Sequence, residues 1–246
     1  LPFWEAATPR DVTGQSKQSD SYLASRFAVP NSHSLAKMSS STSYPRPDFL
    51  RKRLNWESLD GPWDFIFDDA DSGLSMLWQK KGIPAQADLH EKRTIEVPYA
   101  FQTPASGIGV HEAHEVIWYE RMIRDLRSQD EIAKGNRVLV RFGAVDYECS
   151  VWVDGQFVGE HSGGHVPFDV DVTDAFQPPS RTARLTMRVR DSPDDLTQPR
   201  GKQYWKPVPE NIFYTPTSGI WLSVWLESVP VMRLANSSEG TVLRSN

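Results

Sequence analysis

Between Leu59 and Val229 apolar residues recur at every second position, the spacing that puts one face of a β-strand against a core. Val138, Val140 and Phe142 alternate with Arg137, Leu139 and Arg141, and Leu185, Met187 and Val189 alternate with arginines. Cys149, Val151 and Val153 share one face, and Asp154-Gly155 then forms the dipeptide typical of a tight hairpin before Gln156–Gly159 returns. Val166–Val172 alternates with its aspartates outward, and Ile220, Leu222, Val224 and Leu226 form a last strand. Pro62–Phe67, Thr94–Val97 and Val116–Leu126 complete about nine predicted strands. Helix is expected only near Asp71–Lys80 and Ala133. Many short alternating strands with no βα rhythm predict an all-β sandwich or jelly roll. Trp118, Trp152 and Trp221 fall within these strands, and at least two of them are expected to be buried.

The flanks differ. Residues 1–44 are polar, lack an apolar period and are expected to be disordered. They contain no apolar block of secretory-signal type, which leads to the expectation of a cytoplasmic protein with Met38 as its native start. The ordered domain is expected over 45–230, with 231–246 a linker or the start of another domain. Asn236-Ser237-Ser238 fits the glycosylation pattern and is read as a chance match.

Composition removes several classes of function. The 246 residues hold 27 Lys plus Arg against 32 Asp plus Glu, a net charge of −5, with no basic run to track nucleic acid. No stretch approaches the roughly 20 apolar residues of a membrane span. The single cysteine, Cys149, excludes an internal disulfide or a cysteine zinc cage and reads as a buried inert thiol. No cofactor is expected: phosphate-binding glycine loops and nucleophile elbows are missing. No metal is expected either, because His111/His114 and His161/His165 lie in loops rather than on a helix face. Asp194-Asp195 and Glu112/Glu115 read as loop charge rather than as a pair of catalytic carboxyls.

One segment carries positive chemistry. Between strands ending near Arg190 and beginning near Ile220 runs a loop far longer than usual, rich in carboxylates, amides, cations and aromatics. Sugars suit such a mixture, because their apolar faces stack on aromatic rings while their hydroxyls pair with polar groups. Any sugar contact is therefore expected from Asp194, Arg200, Lys202, Tyr204 and Trp205, or from Glu210 and Asn211 just after them. Packing of this loop on its own or another domain stays open as an alternative.

The stretches Trp118–Arg121, Arg141–Tyr147, Val151–Gly155, Gly163–Phe168, Thr215–Trp221 and Val224–Glu227 resemble the N-terminal sugar-binding domain of glycoside hydrolase family 2. That family includes β-galactosidases, β-glucuronidases and β-mannosidases. The resemblance implies a galactose-binding-like jelly roll that binds carbohydrate. It also implies an immunoglobulin-like domain and a TIM barrel as further parts of the same enzyme. The family's catalytic glutamates lie in the barrel, one marked by an Asn-Glu pair that this sequence lacks, so no catalytic residue is assigned and the chain is expected to be a fragment, inactive alone. Where family members place a sugar-contacting acid before Ser-Gly-Ile, this chain has Phe213. Three readings follow: a non-catalytic module of a family 2 hydrolase, a standalone lectin-like protein, or a docking module without sugar affinity.

Overall fold

A computed structural model describes residues 55–233 apart from 177, 178 and 207. The segment 1–44 and Asn236 lie outside the described residues, as does all of 231–246 beyond Arg233. Fourteen strands occur among the described residues: β1 (Trp56–Ser58), β2 (Gly61–Phe67), β3 (Gln86–Ala87), β4 (His90–Glu91), β5 (Arg93–Val97), β6 (Val116–Arg124), β7 (Arg137–Phe142), β8 (Val145–Asp146), β9 (Glu148–Val153), β10 (Gln156–Ser162), β11 (Phe168–Asp171), β12 (Thr182–Arg190), β13 (Gly219–Ile220) and β14 (Val224–Val229). Five of them, β1, β3, β4, β8 and β13, are only two or three residues long, which is why periodicity alone yields fewer. Among the described residues the two α-helices are single turns, α1 (Trp78–Lys81) and α2 (Gln129–Ala133).

The strands form a jelly-roll-like sandwich. One sheet runs β10-β9-β12-β6-β2-β5 and the other β1-β14-β7-β11, each antiparallel throughout. Alternate residues of both sheets meet in one core, including Phe65, Phe67, Tyr119, Val151, Leu185 and Met187 from the first and Val138, Val140, Phe142 and Leu226 from the second. Cys149 belongs to this core, and burial pushes its thiol up to about 12, in keeping with an inert role.

The outer face of the larger sheet is covered too. Ile66, Val116, Trp118 and Trp152 project there and pack with Trp78 and Ile83 of the segment that follows β2. The burial of Trp118 and Trp152 bears out the expectation for two of the three tryptophans; Trp221 is only half-buried. Trp118 stacks on Trp152 with ring centres 5.8 Å apart and meets Trp78 edge-on at 5.5 Å. Its indole N–H donates to Asp68 at 2.9 Å. Gly73 lies so close above the indole that an added Cβ would stand 2.7 Å from three ring atoms.

One expectation changes. The last predicted strand is interrupted: Ile220 ends β13, Val224 opens β14, and Trp221–Ser223 lie between. The facing strand breaks at the same level, between β7 and β8, because Gly143 donates its N–H to the Ser223 carbonyl at 2.9 Å and leaves room for Leu222, whose Cβ would be 2.7 Å from any Cβ at 143. The outward side of β7 is buried at Leu139 and Arg141. There Arg141 donates to Glu227 of β14, and both are buried. A buried ion pair of this kind needs its partner, so removal of either charge is destabilising.

Trp118→Ala is expected to cost about 3–5 kcal/mol, because it opens a cavity between sheet and cover and leaves Asp68 short of a donor. Urea unfolding of the variant beside wild type measures this; an unchanged midpoint would show that the cover contributes nothing.

Candidate sugar-binding cleft

The long loop is closed at its neck. Asp191, its first residue, accepts from Ser218 Oγ at 2.6 Å and from Gln198 Nε2 at 2.9 Å. Its backbone N–H donates to the Glu115 carbonyl at the end of the larger sheet. Further along, Gln203 spans loop and sandwich: its amide nitrogen donates to Asp146 at 2.8 Å, and its oxygen accepts from Thr217 N at 2.7 Å. Two backbone hydrogen bonds cross the loop, from Tyr204 N to Tyr214 O and from Tyr214 N to Lys202 O. A loop whose ends meet and whose own side chains fill it is a compact Ω-type element.

The aromatic residues divide the work. Tyr204 is buried and stacks on Phe213 at 5.1 Å, while its neighbour Trp205 packs edge-on to Phe213 and is 44% exposed. Tyr204 O–H donates to Glu210, whose carboxylate also sits 3.6 Å from Lys206 Nζ. The Tyr204 hydrogen bond and the Lys206 charge hold Glu210 below the usual carboxylate range. Arg200 is fixed by the carbonyls of Ser192 and Asp195.

A cleft of about 250 Å³ opens beside this loop. Asp191, Asp194, Arg200, Tyr204, Trp205 and Lys206 line one side, and Gln102, His111 and His114 the other. Of the seven residues expected from the sequence, Asp194, Arg200, Tyr204 and Trp205 are thus brought together. Lys202 and Asn211 are exposed and lie apart from the lining, and Glu210 is engaged by Tyr204. Asn211 takes the left-handed backbone of a turn, with φ 58°. A larger depression of about 480 Å³ lies over Glu148, Ser150, Glu160, His161 and Arg188 on the outer side of β9, β10 and β12. It is open and has no Trp or Tyr in its lining, and its Arg188 is tied to Asp71, so the smaller cleft is the better candidate.

Asp146 and Asp191 were not anticipated as partners. Burial pushes Asp146 up to about 6, assisted by the negative charge of Asp191 and opposed by its hydrogen bond from Gln203. Burial raises Asp191 as well, against hydrogen bonds from Ser218 and Gln198. Asp191 lines the cleft and Asp146 lies outside its lining.

The sequence profile described as glycosyl hydrolases family 2, sugar binding domain, matches residues 56–226, nearly the whole sandwich. The chain belongs to glycosyl hydrolase family 2. Among curated relatives of this family, the β-glucuronidase of Canis lupus familiaris is 31% identical over 169 residues, 66% of this chain and 25% of that protein. The β-glucuronidase of Sus scrofa is 28% identical over 178 residues, 70% of this chain and 26% of that protein. The chain therefore spans about a quarter of the length of these relatives. The apo structure of a Ruminococcus gnavus β-glucuronidase shares the fold with a TM-score of 0.53 at 20% identity, over 74% of this chain and 30% of that one. The family fold accounts for the sandwich; the cleft rests on the loop described above. Among the described residues no helix is long and apolar enough to cross a membrane.

The raised Asp146 fixes the sign of a pH effect. Native Asp146 takes up its proton near pH 6 and the unfolded chain only near 4, so its stabilising protonation is complete below about 4 and lost as pH rises through about 6. Asp146→Asn is accordingly expected to raise the melting temperature relative to wild type at about pH 7.5, with the gain shrinking towards about pH 5. Melting curves of both proteins across that range check it; a gain that grows on acidification would contradict the assignment.

Proposed function

We propose that this domain is the non-catalytic N-terminal module of a family 2 glycoside hydrolase and supplies one wall of its sugar site. The observation that carries the reading is the half-exposed Trp205 held beside Asp194, Arg200 and Lys206 in one cleft. A ring face, a carboxylate and two cations offer stacking for a sugar face and hydrogen bonds for its hydroxyls or a carboxyl. Hydrolysis of O-glycosyl bonds would belong to the complete enzyme, with a TIM barrel bringing the catalytic carboxyls and an immunoglobulin-like domain joining the two. The curated relatives are β-glucuronidases, and the two cations favour a uronic acid as the first sugar to test. The reading carries with it a cytoplasmic location, which cell fractionation would test.

Titration of the chain with glucuronate, galactose and mannose, followed by tryptophan fluorescence, is expected to give a saturable change with at least one sugar that is lost in Trp205→Ala. The same preparation is expected to turn over no aryl glycoside. A change that persists in Trp205→Ala would move the site elsewhere in the domain. Silence with all three sugars would favour a loop that docks on another domain. Turnover abolished by one carboxylate substitution in this chain would overturn the non-catalytic role.

A further inference from the structure

Behind the cleft, three segments distant in sequence place metal-ligating atoms together. Asp69 follows β2, His90 stands on β4 and His114 precedes β6. His90 Nε2 lies 2.6 Å from one Asp69 oxygen and His114 Nδ1 lies 2.8 Å from the other, and the donor atoms of all three are within 4.8 Å of one another. We propose that Asp69, His90 and His114 form a binding site for a divalent cation of zinc type, with His90 Nε2, His114 Nδ1 and an Asp69 oxygen as ligands and water in a fourth position.

Several features beyond proximity favour this. Two imidazoles and one carboxylate are a ligand set suited to zinc, and three protein ligands leave one position open. Tetrahedral ligand atoms on bonds of about 2 Å stand about 3.3 Å apart, so the two histidine–carboxylate contacts of 2.6 and 2.8 Å must lengthen by roughly half an ångström, while no pair of ligand atoms needs to close by more than about 1.5 Å. The imidazoles are held in place: His114 stacks on Phe67 at 3.7 Å, and His90 meets the same ring edge-on at 5.3 Å. The side chains of His114 and His90 are only 10% and 20% exposed, whereas Asp69 is 48% exposed and leaves a path for an ion. Asp69 is itself braced, because the neighbouring Asp68 accepts from the N–H groups of Ser72 and Gly73 and from Trp118.

The competing reading is a hydrogen-bonded trio that only staples the β3–β4 hairpin to the sheet. In that state protons occupy the two nitrogens facing Asp69. A metal ion needs the lone pairs of those nitrogens, so each neutral imidazole must carry its proton on the other ring nitrogen, a tautomer exchange without net proton release.

The test uses the full 246-residue chain. Equilibrium dialysis against Zn²⁺ is expected to show saturable binding of one ion at this trio, and Co²⁺ is expected to give the visible bands of a four-coordinate site. His90→Gln, which leaves the Phe67–His114 stack in place, is expected to weaken zinc binding at least about 100-fold, beyond the loss typical of an outer-shell partner. Asp69→Asn is expected to do the same and to abolish the zinc-dependent rise in melting temperature. His114→Gln serves only if its melting curve shows a folded protein; His90→Gln decides the matter otherwise. Absence of saturable binding to wild type would overturn the proposal. Undiminished binding in folded His90→Gln would overturn it as well, since the ion would then sit elsewhere.

Discussion

The carboxylate of Asp68 is the constraint on which most of the functional end depends. It is buried, and it accepts from the backbone of Ser72 and Gly73, from the Ser72 hydroxyl and from the Trp118 indole. One side chain thereby turns the chain back over the sheet, seats the tryptophan cluster and fixes the direction in which Asp69 points. A buried carboxylate is tolerable only when its oxygens are satisfied, and here four donors do so. Loss of that turn would uncover Ile66 and Trp118 together.

The cleft depends on a second polar arrangement at the same end. Asp191 and Gln203 fasten a long loop at its neck and its middle, so the loop needs no core of its own. Tyr204 fills the inside and Trp205 is left at the surface. The buried aspartates are costly groups to keep ionised, and the hydrogen bonds from Gln203, Ser218 and Gln198 offset part of that cost.

The sandwich was legible in the sequence because period-two alternation is a local property, and β7, β9, β12 and β14 carry it openly. The covered outer face was less so. Ile66 and Trp118 break the alternation, which signals burial on both faces, but nothing local says that residues 68–83 supply the cover. The loop was legible as chemistry through its length and its mixture of residues, and four of its seven expected residues meet in the cleft. Glu210 and Asn211 look like sugar ligands by type, and no local pattern says that Glu210 accepts from the Tyr204 hydroxyl or that Asn211 takes a left-handed turn. The Asp69, His90 and His114 trio has no sequence spacing to betray it, since its members come from three segments joined only by the fold.

The short pairing of β1 with β14 has a mechanical meaning. Trp56 stands opposite Glu227, and Ser228 N bonds to Asn55 O, so the first and last described strands lie side by side and antiparallel. Chain arriving at Asn55 and chain leaving after Val229 therefore diverge from the same end of the same sheet edge. Tension applied through both would load the few β1–β14 hydrogen bonds one after another, as a zipper is opened, and not all at once in shear. The sandwich would yield first at that seam, while the larger sheet and the loop it carries would feel little of the pull.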